Sequence, residues 1–291
     1  MAKNAVVMKN VTKHYAGTEK GISNVSLEVE AGEIFGFLGP NGAGKTTVIR
    51  CLMNFIHPQT GSIKIFGTDI KLNPVKAMAD IGFLAADAQL YPKWTGNDYL
   101  DFLETIRGKS DMSEMIRLLD IDLNVQFRHL STGNKQKLAF LVAMYGSPKL
   151  VILDEPTKGL DPLLQQVIYE ILKKYKKSGG TVLLSSHNLP EVEKICDRVG
   201  VIKDGKIVAE ESIHSVKKMA IHVVYISSLQ NIDESDFKFD GVEILHNSGK
   251  MLELKIKGNL DLVVNSLSKY KLSDLQINHA NLEDVFMEYY R

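Results

Sequence analysis

The sequence has no apolar run that approaches the roughly 18 residues needed to cross a bilayer, so we expect any membrane role to come through a partner. Lys plus Arg and Asp plus Glu both number 35, so bulk charge gives no reason to expect a nucleic-acid binder. The two cysteines, Cys51 and Cys196, have no ligand-like spacing and are interpreted as buried thiols in a reducing compartment. The start Met1-Ala2-Lys3-Asn4 lacks the apolar region of a signal peptide, and together these absences predict a cytoplasmic protein.

What is present is the ordinary balance of a globular protein, with 44% apolar and 24% charged residues in a chain of 291. This length predicts two domains or one large α/β unit. Beyond about Lys218 the composition changes, because no further glycine-rich loop and no acid-tipped strand follows. We therefore expect a first domain at residues 1–218 and a small α+β domain at 219–291.

A glycine-rich loop in the first part matches the phosphate-loop pattern G-x-x-x-x-G-K-[ST]. It lies between the apolar run Ile34–Leu38, a predicted buried strand, and a predicted helix at Thr46–Met53. Its glycines allow successive backbone N–H groups to point into one concavity that can hold phosphate oxygens. In such a loop the lysine reaches the terminal phosphates and the next hydroxyl ligates Mg²⁺. The loop consists of Gly39, Pro40, Asn41, Gly42, Ala43, Gly44, Lys45, Thr46 and Thr47.

Two carboxylates and a histidine follow predicted buried strands, and each has a candidate role in phosphoryl transfer to water. Asp154 ends the apolar run that begins at Leu150 and can hold Mg²⁺, while Glu155 can orient or deprotonate the attacking water. His187 follows the predicted strand Thr181–Ser186, and its imidazole can hydrogen-bond a γ-phosphate. Because open α/β sheets bind ligands at the carboxyl ends of their strands, we expect these side chains to lie together.

A predicted antiparallel layer precedes the phosphate loop. Ala5–Val11 is a predicted strand, and Val25–Val29 alternates apolar and polar residues as a half-buried strand does. Tyr15 lies between them and offers a flat face on which a purine ring can stack. Taken alone, this tyrosine is more simply explained as a core or surface residue.

A helical insert interrupts the strands. The spacing is helical from about Thr95 to Leu123, with Thr95 as a candidate N-cap. With a further helix from Leu130 to about Tyr145 it predicts a helical subdomain at about 88–145. The predicted apolar face of its first helix consists of Tyr99, Phe102, Leu103 and Ile106.

Residues 5 to 218 resemble the nucleotide-binding subunits of ABC transporters. The resemblance implies an α/β P-loop NTPase of ABC ATPase type, with a mixed sheet core, an antiparallel β subdomain, a helical subdomain and a small C-terminal α+β domain. Its motifs occur in the family's order and at similar spacing. They are the phosphate loop, the signature-like Leu130-Ser131-Thr132-Gly133-Asn134, the acid-tipped strand Leu150–Glu155, the loop Gly159-Leu160-Asp161 and the histidine His187.

The resemblance implies ATP and Mg²⁺ as cofactors and a head-to-tail dimer of two such subunits. Each ATP would lie between the phosphate loop of one subunit and the signature helix of the other. Ser131 and Gly133 would then contact the partner's γ-phosphate through a helix N-terminus. Asp161 would lie at the dimer seam, and Tyr15 matches the family's adenine-stacking aromatic residue.

The sequence departs from the family pattern at two motifs. The signature has Thr132 in place of glycine and Asn134 in place of glutamine, which adds a Cβ near the phosphate and is expected to leave activity intact. The glutamine expected after the strand Ile81–Leu84 falls on Ala86, which can neither ligate Mg²⁺ nor position water. Asp87 or Gln89 is the candidate substitute, and Asp87 is preferred as a metal ligand for its charge.

The resemblance further implies an ATPase that powers a separate integral membrane permease, as a homodimer or heterodimer, on the inner face of the cell membrane. Three segments resemble those of bacterial exporter subunits, which move drugs, peptides, or lipids and glycans. They are the Tyr91–Gly96 turn, the Leu184–His187 run and the Asn281–Phe286 ending. One alternative is a non-transport ABC ATPase acting on ribosomes or DNA. Another, suggested by Ala86, is a catalytically weak regulatory cassette.

Overall fold

The computed structural model describes residues 3–17, 20–218, 221–258 and 260–279. Its internal contacts divide the chain into two compact units, Met1–Glu211 and Ser212–Arg291. The domain boundary expected after Lys218 falls at the end of the first helix of the second unit, Ile213–Lys218. The predicted helix at 282–289 lies outside the described residues. No helix in the described ranges is both long enough and apolar enough to cross a bilayer.

The first unit alternates strands and helices after an antiparallel start. Its strands are β1 (Asn4–His14), β2 (Gly21–Glu30), β3 (Ile34–Leu38), β4 (Thr60–Ile65), β5 (Thr68–Asp69), β6 (Ile81–Leu84), β7 (Leu150–Asp154), β8 (Thr181–Ser186), β9 (Arg198–Lys203) and β10 (Lys206–Ser212). Its helices are α1 (Lys45–Leu52), α2 (Pro74–Met78), α3 (Gly96–Arg107), α4 (Ser113–Leu119), α5 (Thr132–Met144), α6 (Pro162–Lys177) and α7 (Leu189–Ile195).

Two sheets form the layers of this unit. The predicted antiparallel layer is confirmed: β1 pairs antiparallel with both β2 and β4, and the sheet order is β2-β1-β4-β5. The larger sheet has the order β10-β9-β3-β8-β7-β6, and β3, β6, β7, β8 and β9 pair in parallel. Both faces of β3 and β7 are buried, which is why their sequences are continuous apolar runs rather than alternating ones.

Strand register brings the predicted site segments to one edge of the larger sheet. Leu38 at the end of β3 pairs with Ser186 at the end of β8, and Asp154 at the end of β7 pairs with Ser185. Because these strands are parallel, their carboxyl ends meet at one edge. The phosphate loop, the two acids and the histidine all follow at that edge.

The helical insert forms as α3 and α4, and the apolar face of α3 is only partly covered. Thr95 caps α3 in a reciprocal capping box with Asp98, as its position predicted. Tyr99 is buried, but Phe102 and Ile106 on the predicted apolar face are 47% and 63% exposed. The apolar face is therefore only partly buried, because helical spacing groups side chains on one face but does not determine what covers them.

The second unit has its own sheet and core. It contains α8 (Ile213–Lys218), β11 (Ile221–Ser228), β12 (Val242–Asn247), β13 (Met251–Lys257), α9 (Leu260–Leu267) and β14 (Leu272–His279). The order β12-β13-β11-β14 is antiparallel throughout, and β14 is a strand that the sequence interpretation missed. Phe237, Leu254 and Val263 are fully buried members of its core.

Candidate active site

The phosphate loop connects β3 to α1 and depends on glycine at particular points. Gly42 and Gly44 have φ values of 84° and 112°, in the left-handed region that favours glycine. A Cβ at Gly39 would lie 2.5 Å from the carbonyl oxygen of Ile202 on β9. Gly44 is the N-cap of α1, and no described side chain caps that end of the helix. The first N–H groups of α1 therefore suit an anion.

Lys45, the first residue of α1, directs its ammonium group into the same loop. Its side chain is only 7% exposed, and its Nζ donates hydrogen bonds to the carbonyl oxygens of Gly39 and Pro40 at 2.5 and 3.3 Å. The same Nζ lies 3.7 Å from Glu155 Oε1. Burial lowers the pKa of Lys45, while the negative charges of Glu155 and Asp154 oppose that shift.

Asp154 is held by two hydroxyl groups at the end of β7. Ser185 on β8 donates to Asp154 Oδ1 at 2.5 Å, and Thr46 on α1 donates to Asp154 Oδ2 at 3.3 Å. No group of three or more His, Cys, Asp or Glu side chains among the described residues could hold a metal alone. Mg²⁺ bound with a nucleotide needs only one or two protein oxygen ligands beside phosphates and water, and Thr46 and Asp154 fit that donor set.

Glu155 turns away from Asp154 because its backbone leaves the extended conformation. Its φ is 54°, an uncommon value for a residue other than glycine and one that costs strain. The backbone N–H of Glu155 donates to the hydroxyl and the carbonyl of Ser185, both at 3.2 Å. Its Oε2 lies 2.6 Å from His187 Nδ1. Ser185 thus holds both acids at the start of the loop. The Glu155 carboxylate lies between the Lys45 ammonium group and the His187 imidazole.

A cavity of about 420 Å³ opens at this edge of the sheet. It combines the phosphate loop, both acids and the histidine with a tyrosine from the antiparallel layer. Four lining residues, Lys20, Gly21, Arg50 and Lys158, were not predicted, since none belongs to a recognisable sequence motif. The other lining residues are Tyr15, Pro40, Asn41, Gly42, Gly44, Lys45, Thr46, Thr47, Ala86, Asp154, Glu155 and His187.

Tyr15 lies on the wall of this cavity. Its hydroxyl is 3.4 Å from Thr47 Oγ1, and its backbone N–H donates to the carbonyl of Lys20 at 3.2 Å. Tyr15 directly follows β1 and so brings the first sheet's connecting segment to the cavity that the acids after β7 also line. A flat ring at this place can contact a purine base.

Not every predicted site residue lies at this cavity. Among the described residues, Ala86 lines it and Asp87 does not; the Asp87 carboxylate instead accepts from Lys158 Nζ at 3.1 Å. Gly39 and Ala43 of the phosphate loop are also not among the described residues that line the cavity. Their carbonyl oxygens accept hydrogen bonds from Lys45 Nζ and from the N–H of Gly205, respectively.

The predicted partner-facing residues begin two helices. Ser131 is the N-cap of α5 and accepts from the N–H of Asn134, with Gly133 in the first turn. Asp161 is the N-cap of α6 and accepts from the N–H groups of Leu163 and Leu164, both at 3.0 Å. Ser131, Gly133 and Asp161 are not among the described residues that line the cavity.

Comparisons with known proteins agree in the kind of protein they find. The profile of the family described as ABC transporter matches residues 22–158. The chain is 30% identical to "Bacitracin transport ATP-binding protein BcrA" of Enterococcus faecalis, over 96% of this chain and 94% of that protein. It is 32% identical to "Nod factor export ATP-binding protein I" of Rhizobium etli, over 99% of this chain and 93% of that protein.

A solved structure resembles the greater part of the fold. It is the dimeric structure of a post-hydrolysis state of the ATP-binding cassette MJ0796 bound to ADP and Pi. The TM-score is 0.64 at 26% identity, and the match covers 72% of this chain and 98% of that chain.

Proposed function

The chain belongs to the ABC transporter ATP-binding proteins, and from that membership we propose that it powers a separate membrane permease, most simply one that exports its substrate. As an ABC ATPase it binds ATP and hydrolyses it. The observation that carries the mechanistic part of the proposal is the meeting of Lys45, Asp154, Glu155 and His187 at one cavity beside an uncapped helix N-terminus.

In this proposal each side chain has one task. The loop N–H groups and Lys45 hold the phosphates, and Tyr15 contacts the adenine. Thr46 and Asp154 would hold Mg²⁺, which supplies charge compensation for the phosphates when it is bound. Glu155 orients the attacking water and accepts its proton, while His187 hydrogen-bonds the γ-phosphate and fixes the Glu155 carboxylate through their 2.6 Å contact.

The site is completed by a second subunit. Ser131 and Gly133 lie at the N-terminus of α5, outside the chain's own cavity, and a helix N-terminus is suited to a phosphate that another subunit presents. Asp161, the N-cap of α6, would lie at the dimer seam. The dimeric form of the structurally similar MJ0796 cassette supports this arrangement. We propose a homodimer or heterodimer in which each ATP contacts both subunits.

The cargo class rests on the relatives. Their names concern bacitracin transport and Nod factor export, which supports an exporter of drugs, peptides, or lipids and glycans. Residues 1–218 would be the ATP-binding domain and 219–291 an accessory domain. We place the protein in the cytoplasm, attached to the inner face of the membrane through its permease, where ATP is available.

The test is the substitution Glu155→Gln, which keeps the size of the side chain and removes its ability to accept a proton. We expect ATP binding to persist and steady-state hydrolysis to fall by about 10²–10⁴-fold. Glu114→Gln is the matched control, because Glu114 is an exposed carboxylate that pairs with Lys174 and does not line the cavity. ATP titration and phosphate release would be measured on all three proteins. Hydrolysis at the wild-type rate in Glu155→Gln would refute the assigned role.

Ala86 favours one second candidate, a weak cassette whose role is regulatory. An ATPase assay of the wild-type protein, with and without its membrane partner, separates the two. Robust hydrolysis excludes the weak cassette, whereas ATP binding without turnover in both conditions supports it.

A further inference from the structure

Glu191 on α7 is a buried carboxyl group to which the mechanism above gives no task. The residue is 3% exposed, and its two oxygens accept hydrogen bonds from two different segments. Thr157 Oγ1 donates to Oε1 at 2.8 Å, and Ser186 Oγ donates to Oε2 at 2.6 Å. Burial raises the pKa of Glu191, and these two hydroxyl groups oppose that shift.

Both donors lie within two residues of a side chain that the proposed function places in ATP hydrolysis. Thr157 lies two residues after Glu155 in the loop that follows β7, and Ser186 directly precedes His187 at the end of β8. Ser186 Oγ also accepts from the N–H of Asn188 at 2.9 Å, so the backbone on both sides of His187 is tied to the same hydroxyl. A single carboxyl group therefore connects the segment that carries Glu155 to the segment that carries His187.

The loop after Glu155 is also held from its other side. Gln136, a buried residue of α5, donates its amide to the carbonyl oxygen of Pro156 at 3.1 Å. With Pro156 fixed by Gln136 and Thr157 by Glu191, the strained backbone at Glu155 has anchored neighbours. Strained conformations of this kind persist only where the surrounding structure determines them.

A side chain needed only to fill this space would be apolar, since burying a carboxyl group is costly unless it is hydrogen-bonded. Glu191 offsets that cost by accepting hydrogen bonds from both segments, at Thr157 and Ser186, just beyond the last β7–β8 pair of Asp154 and Ser185. The 2.6 Å contact between Glu155 and His187 depends on the relative placement of those same two segments.

We propose that Glu191 is a positioning residue for ATP hydrolysis, which sets the Glu155 carboxylate against His187 by bridging Thr157 and Ser186. The inference rests on the proposed function, because it assigns Glu191 an effect on the step that Glu155 performs. Glu191 does not line the cavity formed by the described residues, so it acts through its neighbours and leaves nucleotide binding unchanged.

The experiment compares Glu191→Ala with Glu191→Gln in the full-length protein, by steady-state ATPase kinetics and ATP titration. Loss of the bridge in Glu191→Ala is expected to lower kcat by about ten- to a hundredfold, the scale on which displacing a catalytic group acts, with KM and ATP affinity unchanged. Glutamine retains an acceptor oxygen for Thr157 and offers an N–H to Ser186, whose hydroxyl can accept a second hydrogen bond. Glu191→Gln should therefore keep kcat within about threefold of the wild type.

Glu33→Ala is the matched control. Glu33 is also a buried carboxyl, hydrogen-bonded to the N–H of Glu30 at 2.7 Å and to Arg198 at 3.0 Å. It precedes β3, at the edge of the sheet opposite to the cavity, so it tests the effect of losing a buried carboxyl as such. Its kcat per folded molecule is expected to match the wild type.

The outcomes separate this inference from the proposed function. If the wild-type protein hydrolyses no ATP, the proposed function fails. If the wild type is active and Glu191→Ala has the kcat of Glu33→Ala, the positioning role is overturned. A rise in KM with kcat unchanged overturns it as well, since that would place Glu191 in binding.

Should Glu191→Ala fail to fold, Thr157→Val provides the same test, because it removes one of the two donors at nearly constant volume. A lowered kcat at unchanged KM in Thr157→Val supports the bridge, and wild-type kcat in that variant overturns it.

Discussion

Lys45 and Lys158, two of the three lysines among the described residues that line the cavity, differ in how their charges are held. Lys45 is almost fully buried and bonds to loop carbonyls and to Glu155, as a buried cation must. The Lys158 side chain is 53% exposed and pairs with Asp87, whose side chain is 81% exposed. Water and salt screen an exposed pair of this kind, so little free energy holds Lys158 to Asp87. Lys158 can therefore turn its ammonium group to a phosphate at small cost.

We expect Lys158→Ala to weaken ATP binding by about two- to fivefold, the range that an exposed charge interaction provides. Isothermal titration with ATP measures the effect. Lys149→Ala is the control, because Lys149 pairs with Asp80 at 2.6 Å, is similarly exposed and does not line the cavity. A larger loss in Lys149→Ala than in Lys158→Ala would contradict a role of Lys158 at the nucleotide.

The residues at the cavity differ in whether a sequence pattern predicts their position. Asp154, Glu155 and His187 follow apolar strands, and strand order in an open α/β sheet brings such positions to one edge. Lys158, Arg50 and Lys20 lack a comparable local pattern. They reach the cavity through the turn after β7, the exposed side of α1 and the segment before β2, and those placements depend on tertiary packing.

At the scale of elements, α3 shows how local and tertiary information differ. Its capping box is a local pattern and forms as predicted. The apolar spacing is also a local pattern, but which residues cover the apolar face depends on tertiary packing. Trp94 contacts Tyr99 and Phe102 edge-on, with ring centroids 5.0 and 5.4 Å apart, at the start of the helix. The last turn, around Ile106, remains largely exposed.

We therefore expect Ile106→Ser to change the free energy of unfolding by no more than about 0.5 kcal/mol, since an exposed helical site contributes little and the two residues have similar helix propensity. Tyr99→Ala should cost about 3–5 kcal/mol, because it removes a buried ring. Urea unfolding followed by circular dichroism measures both variants. Equal destabilisation by the two would show that Ile106 is covered in solution.

For the molecule as a whole, the division into two units is also a division of cores. The core of the first unit is built on the larger sheet and α1, and includes Phe35, Ile152 and Leu183. The core of the second unit includes Phe237, which is fully buried and stacks on Tyr270 with ring centroids 6.0 Å apart. In the part of the chain that the structure describes, the two clusters share no residue, so each unit has its own core.

Phe237→Ala should therefore destabilise the second unit by about 3–5 kcal/mol and leave ATP binding by the first unit unchanged. The chain offers an internal reporter, because its single tryptophan, Trp94, belongs to the first unit. In urea, the circular dichroism of Phe237→Ala should show an early loss of strand signal, while the Trp94 fluorescence midpoint stays at the wild-type value. ATP titration of the same variant is the second readout. A fluorescence midpoint that moves together with the circular dichroism would mean that the two units unfold as one, and the second unit would then contribute to the stability of the first.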